Sequence, residues 1–575
     1  MDTNQRRRLA GVFAVQAVLL TVAAWRNLHQ LNPDAVAYLR IAGYYAGGQW
    51  ELAVTGYWGP LLSWLMVPLL KLGVAQLVAA RVVMALSGVV FLVGAVAVFR
   101  AFRLPPKALV SGACIAAGYA VFWSVRNITP DLLMAGLVAL AVSATVQLFL
   151  TPCRRLAVAA PTLVLESETA AASRRHRSTA RFGIAAGVGW GLAYLAKALA
   201  LPLAVLTCVV LAALAARRQA ACGQAARTTM ARRLALVWTC CALVAGPWIG
   251  VLSLHYGKFT FSTTGPIAHA LAGPGADAPY HPAMVTVHQP DAGRVTQWEE
   301  PSRMAYRLWS PLANGENFQH QLGVLARNAA TMTDWLWGVR WLSGANDPRG
   351  VARMLPGFDL LGLSLAGVVG GVVVLFANRH RPRRVRWSWA AVPVLCLGGL
   401  YLPFFVMAED SRYFYGALPF VWVMVTGAWG WVSRPERDWA RRVRRRVFRV
   451  AMVAFLIPSL MWLSVAIYSL PNLASHAAHE LAIGLKPLPV SGPLAGSGAM
   501  PGGRTGLYTA LLLGERWLGD NEQAGPEEFA ASGARVVVTR RGSRQAEALA
   551  QDSRWRTMDS PGVPSALRVF IRENP

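Results

Sequence analysis

Eight charged residues stand out because they lie at the ends of, or within, apolar stretches long enough to cross a membrane. They are Asp34, Arg81, Arg126, Asp131, Lys197, Glu409, Asp410 and Arg412. Charged side chains are costly at membrane depth and usually serve a function there. Two chemical types are mixed in this set: carboxylates, which could deprotonate an acceptor, and cations, which could hold a phosphate group.

Asp34 lies in the segment Asn32 to Arg40, which follows the first apolar run and has the pattern of a short amphipathic helix. The aromatic segment Gly56 to Pro60, with Tyr57 as a further candidate site residue, is typical of a membrane surface. Pro33 followed by an aspartate also suits the start of a helix, where Asp is favoured as a cap. Asp34 therefore has a structural interpretation as well as a chemical one.

The other charges near the predicted external ends of the apolar stretches have competing interpretations. Lys197 divides an apolar hairpin, a position in which a lysine has little structural use. Arg81 and Arg126 could bind an anion, but they could equally be packing partners of Asp131 or of lipid headgroups. These alternatives stay open from the sequence.

Arg412 could be an arginine that extends to the membrane interface, paired with Glu409 or Asp410. The long segment 255–356 also contains four histidines, at positions His269, His281, His288 and His320. Their spacing matches no metal signature, so exposed loop histidines are the default interpretation. The sequence assigns no cofactor, and a divalent metal stays open only through groups brought together in three dimensions.

The composition of the 575-residue chain defines its broad class: 55% of the residues are hydrophobic, 15% are charged, and the mean hydropathy is +0.39. Several apolar runs reach the roughly 20 residues that cross a bilayer as helix, and such runs exclude a barrel. The net charge of +28 resides largely in arginine clusters between these runs. That arrangement follows the positive-inside rule rather than indicating nucleic-acid binding.

We predict an all-α polytopic membrane protein with about eleven spans, a cytoplasmic N-terminus and an external C-terminus. The spans cover approximately residues 9–25, 74–98, 108–124, 131–150, 182–216 (two spans), 234–254, 360–377, 387–406, 413–432 and 450–470. The external segments are 27–73, in which 61–70 forms an interfacial helix, and 255–356. Every large arginine cluster is then cytoplasmic.

Two domains follow from this pattern: a transmembrane catalytic domain, residues 1–470, and a small extracytoplasmic α/β domain, residues 471–575. In the second domain we predict helices at 508–513 and 543–551, and strands at 535–539 and 567–571. The glycines around Gly496 and Gly498 lack the strand-then-helix context of a dinucleotide-binding fingerprint, so no such site is predicted.

Several motifs, taken in order, resemble those of the GT-C glycosyltransferases, specifically the bacterial branch of protein-mannosyltransferase-like and aminoarabinose-transferase-like enzymes. The matching segments are Pro33 to Ala42, Tyr57 to Trp64, Ala80-Arg81, Thr129 to Leu133, Gly191 to Lys197, and Arg412-Tyr413 with Pro419. The resemblance covers most of the chain, including an external C-terminal domain. The order and sidedness of the motifs make the set specific.

The resemblance implies a sugar donor linked to polyprenyl phosphate and reached from the outer leaflet. Asp34 would be the general base or would orient the acceptor, and Lys197, Arg412 and Arg81 would be candidates to hold the donor phosphate. Many relatives carry an Asp-Glu pair where this chain has Asp34-Ala35. Without the second acid, a metal at that loop is less strongly implied.

The leading hypothesis is therefore an inverting transfer of one sugar to an extracytoplasmic lipid, glycan or protein, in a bacterial inner membrane. A lipid-sugar transporter and a catalytically degenerate relative are the alternatives. Transporters usually show paired halves with interrupted helices, which this sequence does not display. Substitution of Asp34 separates the hypotheses, because only an enzyme should lose turnover while keeping its fold.

Overall fold

A computed structural model of the chain describes residues 3–150, 165–219, 224–274, 287, 299–304, 306–337, 416–432, 449, 452–453, 455–456, 459–460, 462–468, 473–487, 492–496, 502–558 and 563–573. Most of these residues are helical, and the strands lie near the C-terminus. The predicted spans 360–377 and 387–406 lie outside the described residues, as do the candidate site residues Glu409, Asp410 and Arg412.

The helices before the C-terminal sheet follow the apolar runs of the sequence. They are α1 (Thr3–Arg26), α2 (Pro33–Ala46), α3 (Trp50–Ala53), α4 (Leu61–Lys71), α5 (Gln76–Ala101), α6 (Pro106–Arg126), α7 (Asp131–Leu150), α8 (Leu165–Ala196), α9 (Ala200–Gln219), α10 (Gln224–Tyr256), α11 (Thr264–Leu271), α12 (Gly315–Trp337), α13 (Leu418–Val432) and α14 (Leu473–Leu485). A 3₁₀ turn lies at Pro301–Arg303.

Five of the described helices are long and apolar enough to cross a membrane. They cover Thr3–Arg26, Gln76–Ala101, Pro106–Arg126, Asp131–Phe149 and Thr228–Tyr256. Each of these helices coincides with a predicted span. The predicted membrane-helix fold is therefore confirmed, whereas the total of eleven spans stays a prediction because it includes regions outside the described residues.

The bundle packs through small residues. A side chain at Gly94 of α5 would overlap the carbonyl oxygen of Gly136 on α7, and one at Gly187 of α8 would overlap the carbonyl oxygen of Val237 on α10. Close backbone approach of this kind is how helices associate in lipid, where burial of apolar surface gives little driving force.

The predicted hairpin in residues 182–216 is present as two helices. Helix α8 ends at Ala196 and α9 begins at Ala200, with Lys197 in the break between them. The backbone N–H of Lys197 donates to the carbonyl of Ala193, at 2.9 Å. Lys197 therefore keeps the hydrogen bond of a helical residue and directly follows the last turn of α8.

The C-terminal α/β domain contains a five-stranded sheet in the order β2-β1-β3-β5-β4. Its elements are β1 (Leu494–Gly496), α15 (Gly502–Leu513), β2 (Trp517–Asp520), α16 (Pro526–Ala531), β3 (Val536–Arg540), α17 (Arg544–Gln551), β4 (Trp555–Met558) and β5 (Leu567–Arg572). Strand β1 is parallel to β2 and β3, whereas β5 is antiparallel to β3 and β4. The two predicted helices and two predicted strands are all present, but β1, β2, α16 and β4 were not predicted.

The prediction that no strand precedes and no helix follows the glycines around Gly496 was wrong. Gly496 is the last residue of β1, and α15 begins at Gly502. The strand was missed because its three residues, Leu-Ala-Gly, are too short to show strand periodicity. The chain then forms a parallel β1-α15-β2 unit, in which α15 packs against both strands.

Candidate active site at the junction of the bundle and the C-terminal domain

Three loops that carry candidate residues meet at one end of the bundle. The side-chain oxygen of Asn32, just before α2, accepts a hydrogen bond from the backbone N–H of Ile128, just before α7, at 2.8 Å. Gly59 packs so tightly against the end of α8 that a side chain there would overlap the carbonyl oxygen of Ala196. The segments that contain Asp34, Asp131 and Lys197 are thereby gathered around a common region.

Asp34 is in the first turn of α2 but is not its cap. Asn32 occupies the N-cap position with extended backbone, and Pro33 is the first helical residue, where its missing N–H costs nothing. The Asn32 side chain makes no capping hydrogen bond within the helix. Asp34 is partly exposed, whereas the residues from Ala35 to Leu39 are buried. The positive end of the helix dipole attracts negative charge at this position.

Asp131 and Lys197 form an ion pair. Lys197 Nζ lies 2.5 Å from Asp131 Oδ1, and the side chains are 23% and 2% exposed respectively. Asp131 is the first residue of α7, where the helix dipole also stabilises its charge. The sequence left Arg81 or Arg126 as its partner, but the described pair is with Lys197. An ammonium group has three donors, and the contact with Asp131 Oδ1 uses one of them.

Arg81 is buried and its guanidinium is bound to backbone. It donates to the carbonyls of Leu28, Gln30 and Val125, with 3.0 Å to the last of these. These contacts tie the loop before Asp34 to the end of α6. The geometry gives Arg81 a role in positioning that loop, and phosphate binding by Arg81 stays a prediction. Arg126, at the end of α6, is half-buried.

The sequence interpretation missed two buried carboxylates, Glu299 and Glu300, which are both 0% exposed. The first forms an ion pair with Arg40 Nε and accepts from the hydroxyl of Tyr44, at 2.7 Å, so it clamps the segment at residues 299–304 onto α2. Burial and then the negative charge of Glu299 raise the pKa of Tyr44 to about 12. Burial is the largest single influence on the pKa of Arg40 and lowers it, but the interactions with Glu299 and Tyr44 together outweigh burial and raise that pKa.

Glu300 makes the second clamp, onto the Tyr57 loop. Its carboxylate accepts from the hydroxyl of Tyr256 at 2.7 Å and also from Ser302. The same tyrosine oxygen accepts from the N–H of Gly56 at 2.9 Å, and the carbonyl of Tyr57 accepts from Thr264. Tyr57 therefore lies in a loop held by its backbone. The sequence does contain one indication of these two carboxylates: Glu299 and Glu300 are adjacent acids in the segment 255–356, which is otherwise rich in aromatic and small residues.

Two of the four histidines of the external segment belong to an aromatic cluster. The rings of His269 and Trp309 stack with centroids 4.3 Å apart, and His320 meets the indole edge-on at 5.4 Å. The indole N–H donates to the carbonyl of His269, at 2.7 Å. Within the described parts of the chain, no three His, Cys, Asp or Glu side chains are arranged to hold a metal ion.

The C-terminal domain closes over the same end of the bundle. Ser475 of α14 accepts from the backbone N–H of Leu31 at 2.9 Å, three residues before Asp34. Tyr508 of α15 is 1% exposed, and the charges of Arg504 and Asp34 both act on it; burial and the negative charge of Asp34 raise its pKa. Asp34 is therefore next to the C-terminal domain as well as the bundle.

No protein-family model matches the sequence, and no curated protein matches it significantly. Comparison of folds does find similar solved structures. The archaeal oligosaccharyltransferase AglB from Archaeoglobus fulgidus, in complex with an inhibitory peptide and a dolichol-phosphate, is 11% identical with a TM-score of 0.52, over 94% of this chain and 70% of that one. The apo form of the Archaeoglobus fulgidus oligosaccharyltransferase gives 12% identity and a TM-score of 0.54, over 92% and 69%.

ArnT from Cupriavidus metallidurans, bound to undecaprenyl phosphate, has a TM-score of 0.53 at 14% identity. The superposition covers 98% of this chain and 97% of that one, so the likeness includes the C-terminal domain as well as the bundle. The chain therefore has the fold of GT-C membrane glycosyltransferases, as the sequence resemblance predicted. At these identities the likeness establishes the fold and does not extend to the reaction.

Proposed function

We propose that the chain is a glycosyltransferase that moves a single sugar from a polyprenyl-phosphate donor to an extracytoplasmic acceptor, with inversion at the anomeric carbon. The observation that carries this proposal is the placement of a partly exposed carboxylate, Asp34, at the end of the bundle that also carries a partly exposed cation, Lys197. The fold adds support, since ArnT and AglB were solved with undecaprenyl phosphate and a dolichol-phosphate.

The proposed reaction is one displacement at the sugar. Asp34 accepts the proton of the acceptor hydroxyl as its oxygen attacks the anomeric carbon, and the bond between that carbon and the phosphate oxygen breaks. The lipid phosphate leaves with the bonding electron pair. Preorganised cations stabilise that developing charge, and Lys197 supplies one, with Arg412 as a further candidate. The products are the glycosylated acceptor and the polyprenyl phosphate.

The proposal also fixes an orientation. We place residues 1–470 as the catalytic membrane domain of a bacterial inner-membrane protein, with the N-terminus in the cytoplasm. Residues 471–575 then form an extracytoplasmic domain over the site. The basic residues Arg100, Arg103 and Lys107 lie at the opposite end of the bundle from Asp34, which supports this orientation.

The test is sugar transfer by the purified protein in nanodiscs, from a panel of labelled polyprenyl-phosphate sugars to bacterial envelope extract. Asp34→Asn is compared with wild type and with Glu51→Gln, an exposed acid in the same external segment. Transfer that collapses only in a folded Asp34→Asn protein supports the proposal. Equal transfer by all three proteins removes Asp34 as the base. Movement of the intact labelled lipid between leaflets, without transfer, favours a transporter.

A further inference from the structure

Helices α2 and α15 lie side by side in the same direction. Near the start of α2, Asp34 is within electrostatic range of Tyr508, in the second turn of α15. Further along, Val36 lines a narrow cleft with Leu507 and Leu511. Beyond the end of α15, the carbonyl of Glu515 accepts from Arg40 Nη1, at 2.8 Å. The first turns of both helices therefore point toward the same end, where Asp34 is.

Arg504 lies in the first turn of α15, four residues before Tyr508. Residues four apart share one face of a helix, so Arg504 is on the face that Tyr508 turns toward Asp34. Arg504 is half-buried, and its Nε is buried with no hydrogen-bond partner among the described residues. A buried donor left without an acceptor is costly, and more so when it is charged.

We propose that Arg504 is a phosphate-binding residue that the C-terminal domain contributes to the site at Asp34. Its ligand is the phosphate of a polyprenyl phosphate, free or glycosylated, and this identity rests on the proposed function. The planar guanidinium matches the geometry of a phosphate. Because Nε is buried in the described conformation, the half-buried side chain would have to reorient for the phosphate to accept from Nε. The N-terminal dipole of α15 adds to the attraction for an anion.

This arrangement divides the site between two parts of the chain. The carboxylate that receives the proton comes from α2, whereas one cation comes from Lys197 of the bundle and another from Arg504 of the C-terminal domain. A lipid phosphate bound between them would cross-link the two domains. The C-terminal domain is then a working part of the site, and its docking through Ser475 and Arg40 becomes a condition for binding.

The test is direct binding of undecaprenyl phosphate to the full-length protein in nanodiscs, with undecaprenol as the probe that lacks the phosphate. We expect wild type to bind undecaprenyl phosphate more tightly than undecaprenol. Arg504→Ala should weaken phosphate-lipid binding about 10-fold or more, since hydrogen bonds to charged groups are worth that much. Arg504→Lys should retain part of the affinity. Arg544→Ala, an exposed arginine of the same domain, should match wild type.

The proposal is overturned if folded Arg504→Ala binds undecaprenyl phosphate within about twofold of wild type, or if wild type does not distinguish it from undecaprenol. Thermal unfolding of each variant reports folding, and Arg504→Gln replaces the alanine variant if that protein does not fold. Sugar transfer is measured separately. If undecaprenyl phosphate binding depends on Arg504 but no sugar transfer is found, this inference stands and the proposed function is rejected. If sugar transfer is found but Arg504→Ala binds undecaprenyl phosphate as wild type does, the proposed function stands and this inference is rejected.

Discussion

Lys197 Nζ lies 2.5 Å from Asp131 Oδ1, so the break between α8 and α9 is tied to the first turn of α7. The pair is asymmetric, because Asp131 is almost fully buried while about a quarter of the Lys197 side chain is exposed. The carboxylate offsets the cost of holding a lysine at this depth.

Replacing both residues of this ion pair should cost less stability than the sum of the two single replacements would lead one to expect. Asp131→Asn leaves the partly buried cation without its counter-charge, and we expect a loss of about 1–3 kcal/mol in the free energy of unfolding. Lys197→Gln should cost more, because it leaves the carboxylate of Asp131, whose side chain is only 2% exposed, without its counter-charge. The double variant should be less destabilised than the sum of the single ones, by about 1 kcal/mol or more, because the residues are in contact.

The measurement is a double-mutant cycle on thermal or denaturant unfolding of the purified protein. Lys258→Gln, which removes an exposed cation beyond the end of α10, serves as the control. Strict additivity would mean that the contact contributes nothing to stability. In the transfer assay, Lys197→Arg should keep more activity than Lys197→Gln, because it preserves the charge.

The contacts of Glu299 predict that replacing it by glutamine, a change of one side-chain atom, will strongly reduce the stability of the protein. Glu299→Gln removes the charge that compensates Arg40, whose side chain is 14% exposed. We expect a loss of about 2–4 kcal/mol of stability and looser packing of the external segment on α2. Tyr44→Phe, which removes one hydrogen bond, should cost only about 1 kcal/mol.

Unfolding temperature and limited proteolysis of the external segment measure these effects. Glu316→Gln, at an exposed position in the first turn of α12, is the matched control. If Glu299→Gln were no more harmful than that control, the clamp would have to be rejected as a source of stability.

The close packing of Gly59 against the end of α8 should influence the position of Lys197 in the candidate site. A methyl group at this position would overlap the carbonyl oxygen of Ala196, directly before Lys197, so Gly59→Ala should displace the α8–α9 break. We expect a loss of roughly 1–3 kcal/mol in stability together with reduced sugar transfer. Gly246→Ala is the control, since open space surrounds that position inside α10 and alanine favours helix. Wild-type transfer by Gly59→Ala would show that the position of Lys197 is not critical.

The membrane helices could be predicted because the physical signal for them is local. A run such as that of α5 or α7 is apolar along its whole length, and lipid admits few alternatives to a helix. The break at Lys197 could be predicted for the same reason, since a charge interrupts the run. The strand at Leu494–Gly496 could not, because its three residues become a strand only through pairing with β2 and β3.

The candidate site was only partly predictable, because its contacts join distant parts of the chain. Asp34, Asp131 and Lys197 were visible as charges at the ends of apolar runs. Nothing local indicates that Lys197 pairs with Asp131, 66 residues away, or that Glu299 pairs with Arg40, 259 residues away. These pairings follow from helix packing, which one sequence does not reveal.

The contact between His29 and His479 predicts a dependence of stability on pH. Their rings stack with centroids 3.8 Å apart, joining the loop between α1 and α2 to α14 of the C-terminal domain. Burial, then the charges of His479 and Arg81, lower the pKa of His29. The unfolded chain therefore takes up this proton more readily than the folded protein does. The stabilisation from uncharged His29 is complete above the ordinary histidine pKa of about 6.5 and declines as the pH falls below it toward the lowered value.

The unfolding temperature should fall between pH 7 and pH 5, and His29→Phe, which keeps an aromatic ring, should make that fall smaller. His476→Gln, an exposed histidine on α14, should leave the profile as in wild type, and parallel profiles for all three proteins would rule out His29 as the group responsible.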